Sequence, residues 1–250
     1  MLILTRKIGE SIIVGENIRV VVLEVRGRQI RLGIEAPADI VVLREEIFNR
    51  LINENLEAAK FNPEDVEPAG KVLEDTVARR SALRPTRPGS PCVSVESKIL
   101  GRLQVPENQI VSFVSGLPGF PDYQRYALLP DLPRSLFSYL QCLEDPSLAF
   151  IVTDPNTLVP DYRLKNCSNA MKELRAESPE DLQVLVTLTI PPGRPREMTA
   201  NMMSPLLVNP DQGLGKQVVI EKPQYSHQHP VLAARPGGDD FLPREAWTAG

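Results

Sequence analysis

Histidine and cysteine are scarce in this chain, with two of the first and three of the second among 250 residues. Cys92, Cys142 and Cys167 are odd in number and show no CxxC spacing. That argues against a disulfide frame and a zinc site, and predicts reduced thiols in a cytosolic protein. His227 and His229 are two apart and would share one face of a strand, but no further histidine or suitably spaced carboxylate completes a metal set, so none is expected. No apolar run nears the roughly 20 residues of a membrane span. Met1 leads straight into a strand with no signal segment, so a cytoplasmic protein with no membrane contact is expected. Glycine-rich phosphate loops are missing too, since SGLPGF at Ser115 to Phe120 lacks both the spacing and the lysine. Nothing marks a base beside Cys142 or Cys167. Asp145, Asp154 and Asp161 read as turn carboxylates, so the chain is not read as an enzyme and no cofactor is expected. Nor is there a strong charge of one sign. Residues 1–61 carry nine basic and nine acidic side chains, and the net charge of −4 comes from the regions after residue 91. Bulk charge therefore does not argue for nucleic acid, although clustered arginines can still hold an anion locally.

What the chain has is short, apolar-rich β-segments. Five are packed into the first 43 residues: Met1 to Lys7, Ser11 to Val14, one carrying Ile18, Val20 and Val22, one carrying Ile30, Leu32 and Ile34, and Ile40 to Leu43. The middle pair alternates at period two around Arg26-Gly27-Arg28, a hairpin turn in which Gly27 supplies a positive φ. From Arg44 the period becomes helical, with Ile47, Phe48, Leu51, Ile52 and Leu56 on one stripe. A unit of this size buries too little surface to stand comfortably alone. Its strands are apolar on both faces, which points to a second copy as the remedy.

Residues 62–91 read as a linker with Pro63, Pro68, Pro85, Pro88 and Pro91, interrupted at most by a brief helix around Glu74 to Leu83. Such a segment would span roughly 30 Å if flexible. Residues 92–232 alternate short β-like runs with prolines and glycines, which suits an antiparallel barrel or sandwich. The runs are Gly101 to Val105, Ile110 to Phe113, Tyr126 to Leu129, Leu136 to Cys142, Leu148 to Val152, Gln183 to Ile190, Pro205 to Val208 and Gln217 to Ile220, with one helix over Asn169 to Ala176. Residues 233–250 read as a disordered tail.

MLILTRK followed by Gly9-Glu10, LGIEAP at Leu32 to Pro37 and VVLREEI at Val41 to Ile47 closely resemble the CsrA/RsmA family over residues 1 to about 60. The resemblance implies an intertwined homodimer of five-stranded modules. In it, strand one of one copy lies beside strand five of the other and reads a GGA core in messenger RNA hairpins. It carries RNA contact to Leu4, Thr5, Arg6 and Lys7, to Val42, Leu43, Arg44 and Glu45, to Ala36 and Pro37, and to Arg31 on phosphate. The chemistry is coherent. Single-stranded guanine exposes its Watson–Crick edge, and arginines give salt-dependent phosphate contacts and a planar surface for stacking. Lys7 replaces a frequent arginine and Leu43 a frequent histidine.

SGLPGF, LQCLEDPSLAFIV at Leu140 to Val152, TANMMSPLLVN at Thr199 to Asn209, GKQVVI at Gly215 to Ile220 and YSHQHPV at Tyr225 to Val231 together resemble the FliW family. That implies a β-barrel-like domain that binds flagellin and antagonises CsrA. His227-Gln228 stands where Val-Arg is usual. The same resemblance places the CsrA–FliW contact on the helix end, at Asn55 with its neighbours Glu54, Leu56 and Ala59. The expected fold is mainly β: an N-terminal module with its helix, and an antiparallel barrel-like domain. The expected function is repression of translation, of flagellin messenger RNA in particular, with the tethered domain opposing RNA binding allosterically. Tethering would hold the two parts at an effective concentration on the order of millimolar, in cis or across the dimer. The alternative is a flagellin-binding assembly factor whose N-terminal module serves mainly for dimerisation.

Overall fold

The computed structural model describes residues 1–37, 40, 42–76, 91–130, 136–164, 167–220 and 225–232. The N-terminal part is an antiparallel meander of β1 (Ser11–Val14), β2 (Ile18–Arg26) and β3 (Gln29–Glu35). Its register sets Val20 opposite Ile34 and Val22 opposite Leu32, with a bulge between Val22 and Glu24. Of the five strands expected from sequence, these three pair within the chain. Among the described residues, Met1–Lys7 and Val42–Arg44 join no sheet. Apolar side chains consequently face solvent on this sheet, Ile30 at 63% exposure among them.

Helix α1 (Glu45–Ala58) follows, opened by Glu45 and Glu46, whose carboxylates suit the positive end of the helix dipole. Its buried face is Ile47, Leu51, Glu54, Asn55 and Ala58. The stripe is thus turned from the one expected, and Phe48 stays 45% exposed. The reason is what the helix packs on: it lies against the C-terminal region.

The stretch expected to be a flexible connector begins with a second helix, α2 (Pro63–Thr76). Asn62 Oδ1 accepts from the Glu64 N–H at 3.3 Å, and proline at the first helical position loses no intrahelical bond. The helix is held from outside. Val66 and Ala69 are buried in the core of the C-terminal region, and Asp65 Oδ2 accepts from the Gly193 N–H at 2.8 Å. Non-local packing of this kind overrides the prolines that make the segment look irregular. The rest of the expected connector, from residue 77 to 90, and the expected tail lie outside the described residues.

The C-terminal region starts with a hairpin, β4 (Cys92–Ser97) and β5 (Gly101–Pro106). Then come β6 (Ile110–Phe113), β7 (Arg125–Pro130), β8 (Ser138–Cys142), β9 (Ala149–Thr153), the short helix α3 (Ser168–Glu173), β10 (Gln183–Thr189), β11 (Thr199–Ala200), β12 (Leu206–Asn209), β13 (Leu214–Gln217) and β14 (His229–Pro230). Seven strands close a barrel in the order β12-β13-β6-β7-β8-β9-β10, sealed by β10 pairing with β12. Strands β11 and β14 extend from β10. The pairing of β13 with β6 is parallel and the others are antiparallel. Strand β13 begins earlier than the expected Gln217 to Ile220 run. A Cβ at Gly215 would sit 2.7 Å from Val111 Cγ1, so only glycine lets this strand lie against β6.

Successive residues of the barrel strands alternate between two cores. Leu140, Phe150 and Val152 belong to one, and Tyr139, Ala149 and Ile151 to the other. Among the described residues, no helix is long and apolar enough to cross a membrane.

Candidate functional site

Two surfaces gather the residues singled out from sequence. The first is the junction of α1 with the barrel. Asn55 is 1% exposed. Its Nδ2 donates to the Pro118 carbonyl and to Gln217 Oε1, both at 2.8 Å. Gln217 Nε2 donates back to Asn55 Oδ1 at 3.1 Å and to the Ser204 carbonyl at 3.0 Å. Both hydrogens of each amide are therefore used. An amide pair exchanged this way is directional, and losing one side would strand a buried donor or acceptor. Asn55 and Gln217 lie in the same chain.

Glu54 is buried beside it and accepts from Gln228 Nε2 at 3.0 Å. Burial raises the Glu54 carboxyl above its ordinary value, and the Gln228 bond and the Arg50 charge oppose that rise. The sequence signal at Gln228, where arginine is usual, thus falls on a direct contact with α1. Leu56 and Ala59 complete the expected set. A Cβ on Gly119 would come within 3.6 Å of Leu56 Cγ and of Ile52 Cγ2, and Ala59 packs against the core that contains buried Ala58. Gly119 has φ 93°, so the SGLPGF turn both bends and presents a bare backbone to the helix.

Sequence reasoning missed several residues of this junction. Ala58, Phe61, Asp65, Val66 and Ala69 all pack or bond against the barrel side. Phe61 and Tyr139 have ring centroids 6.4 Å apart. The apolar spacing of Val66 and Ala69 was a readable helical signal, hidden by the prolines around it.

A cleft of about 1000 Å³ opens at the other end of α1. Leu43, Glu45 and Phe48 form one side of it; the Ser115–Gly119 turn and α3 form the other. Lys216 and Glu173 pair along its wall and tie β13 to α3.

The second surface is the edge expected to meet RNA. Leu4, Thr5, Arg6 and Lys7 are all exposed. Among the described residues, Arg6 bonds locally, to the carbonyls of Thr5 at 2.8 Å and Ser11 at 3.3 Å. Lys7 donates its backbone N–H to Glu10 Oε2 at 2.8 Å. Val42, Arg44 and Glu45 are exposed and Leu43 is half-buried. The Arg44 guanidinium lies 3.8 Å from Glu46. Ala36 and Pro37 are half-buried, and Arg31 is exposed on β3. Within one chain, no described strand pairing joins the Met1–Lys7 segment to the Val42–Arg44 segment.

The groups weighed for catalysis sit in structural positions. Asp145 caps a turn by accepting from the Ser147 N–H and hydroxyl, and Asp154 accepts from the Asn156 N–H. Cys142 is buried, and burial pushes its thiol up to about 11. Among the described residues, no three His, Cys, Asp or Glu side chains cluster as a metal site.

Comparison with known proteins agrees with this division. Residues 94–231 match the family model of the FliW protein, and residues 1–53 match that of CsrA, the global regulator protein family. The chain is 37% identical over 142 residues to the flagellar assembly factor FliW of Treponema denticola, covering 56% of this chain and 95% of that protein. It is 33% identical over 139 residues to the flagellar assembly factor FliW of Alkaliphilus metalliredigens, covering 55% and 85%. A crystal structure of the flagellar assembly factor FliW superposes with a TM-score of 0.51 at 28% identity, over 56% of this chain and 96% of that one. The helix-to-barrel junction described above therefore joins two families within one polypeptide: the chain belongs to the FliW family through its barrel and carries a CsrA-family segment at its N-terminus.

Proposed function

We propose that this chain is a post-transcriptional regulator that carries its own antagonist. The N-terminal module binds GGA-containing hairpins in messenger RNA leaders, as a homodimer whose second copy supplies the missing strand pairing. Arg6, Lys7, Arg31 and Arg44 hold phosphate, while Leu4, Thr5, Ala36, Pro37, Val42, Leu43 and Glu45 shape the edge that meets the bases. The barrel binds flagellin and, when docked on α1 through Glu54, Asn55, Leu56 and Ala59, weakens RNA binding. Flagellin messenger RNA is the expected target, and flagellin captured by the barrel relieves the antagonism. That last step requires flagellin to bind the docked and undocked forms with different affinity.

The observation that carries the reading is the reciprocal Asn55–Gln217 amide pair between α1 and the barrel, formed while the basic strand edge stays exposed. Dimerisation is supported by the apolar surface the lone module leaves in water, Leu2 at 82% exposure and Ile30 at 63%. Apolar exposure on this scale suits a face that a second copy covers. The cleft lined by Leu43 and Glu45 lies between the near end of α1 and the barrel.

The test is binding of a fluorescent GGA hairpin to the full chain, with and without flagellin. Binding that strengthens with flagellin and is lost in Arg44→Ala is the expected result. A chain that binds flagellin but no GGA hairpin under either condition would instead be an assembly factor that uses its N-terminal module for dimerisation.

A further inference from the structure

We propose that His227 is a proton-operated latch on the helix–barrel contact: neutral, its imidazole seats in the junction, and protonated, it releases α1. The ring is 6% exposed, and neither nitrogen finds a hydrogen-bond partner among the described residues. A neutral imidazole in that position leaves one donor and one acceptor without a protein partner among the described residues; an imidazolium would add a full charge to the same buried place. The next residue, Gln228, bonds Glu54 of α1, and the charge of Arg50, also on α1, acts on the ring itself.

Among the described residues, the charges around it come from few elements. From α1, Arg50 faces the ring as a like charge, and burial together with that charge holds the imidazole below its ordinary value. Glu54 lies behind Gln228, with Glu57 acting on it from the next turn. Across the backbone, the Met202 N–H donates to the Ser226 carbonyl at 3.0 Å, and the segment Met198–Ser204 carries no titratable side chain. His229, two residues on, is also held low by burial.

The sign follows from linkage. The docked contact lowers the affinity of His227 for a proton, so acidification through its ordinary value of 6.5 favours the undocked form. Docking is fully supported above that pH and lost progressively below it. Glu54 works the other way, because its raised value makes the docked state the better proton binder in the acid range. Replacing His227 separates the two. The latch acts on the contact itself, whatever the module binds, so its failure and failure of the RNA reading are told apart.

The experiment is hydrogen exchange of the α1 peptide in the full chain at pH 7.5 and 5.5, normalised for intrinsic exchange. One histidine with an undocked value near 6.5 can raise opening by up to about tenfold over that interval. Wild type should show a several-fold rise towards that ceiling, and His227→Val a flat or reversed response. An equal rise in both chains, or none in wild type, overturns the latch. The reciprocal measurement needs no change at His227. In Asn55→Ala, which loosens the contact by another route, the His227 ring titration should move up towards 6.5; no movement overturns the latch as well.

Discussion

Strands β8 and β9 of the barrel bury every residue they contain, whereas β3 of the N-terminal sheet buries none. Both sheets are built from short runs rich in branched and apolar side chains, so composition does not separate them. Closure does. The barrel seals its edges by pairing β10 with β12 and sandwiches its strands between two cores. The N-terminal sheet is a single layer with open edges, and its helix has gone elsewhere, to the barrel. The lesson is that α1 belongs to both families at once: its sequence lies largely in the regulator match, and its buried face belongs to the barrel.

The strongest way to break that comparison is to remove one large side chain from each half. Phe150→Ala should cost the barrel about 3–5 kcal/mol in urea unfolding, because the ring is fully buried and packs against the rings of Phe120 and Tyr126. Leu32→Ala should cost about 1 kcal/mol or less in dilute protein, since that side chain is half in water. Its cost should grow with protein concentration as a second copy covers it. Equal, concentration-independent losses at the two positions would contradict the contrast.

Next in size is the junction. Gln217→Ala leaves Asn55 without its side-chain partner and should weaken docking by about 1–3 kcal/mol, read as faster exchange of the α1 amides with β8 and β9 unchanged. The smallest effect sharpens the contrast without a mutation. At pH 8 an exposed Cys92 should react with a thiol reagent, while Cys142, buried and raised to about 11, should stay unmodified until the barrel unfolds.

Much of the barrel was legible in the sequence. Ile110–Phe113 is a strand with the expected limits, and β10 ends within one residue of its expected end. Local alternation and punctuation by proline and glycine suffice there. Strand β13 was displaced because the requirement for Gly215 comes from Val111 and Phe113, about a hundred residues away, and a glycine pair reads locally as a turn. Helix α2 was obscured for the same reason. Its prolines are local, while the pockets for Val66 and Ala69 are not. Asn55 was found only through family resemblance. By its own chemistry it reads as an exposed helix residue, and nothing near it in sequence announces Gln217. The residue pair at 227–228 was noticed as a departure from the family pattern, but its meaning needed the position of Glu54 and Arg50.

The most direct measurement of the central account is the affinity of the full chain for a GGA hairpin before and after Asn55→Asp. The substitution removes both donated bonds and sets a carboxylate oxygen against the Pro118 carbonyl, so the barrel should leave α1 while the strand edge stays intact. The account predicts RNA binding tighter by about tenfold, the equivalent of about 1.4 kcal/mol of lost docking. Unchanged affinity, with α1 shown by hydrogen exchange to be released, would contradict it.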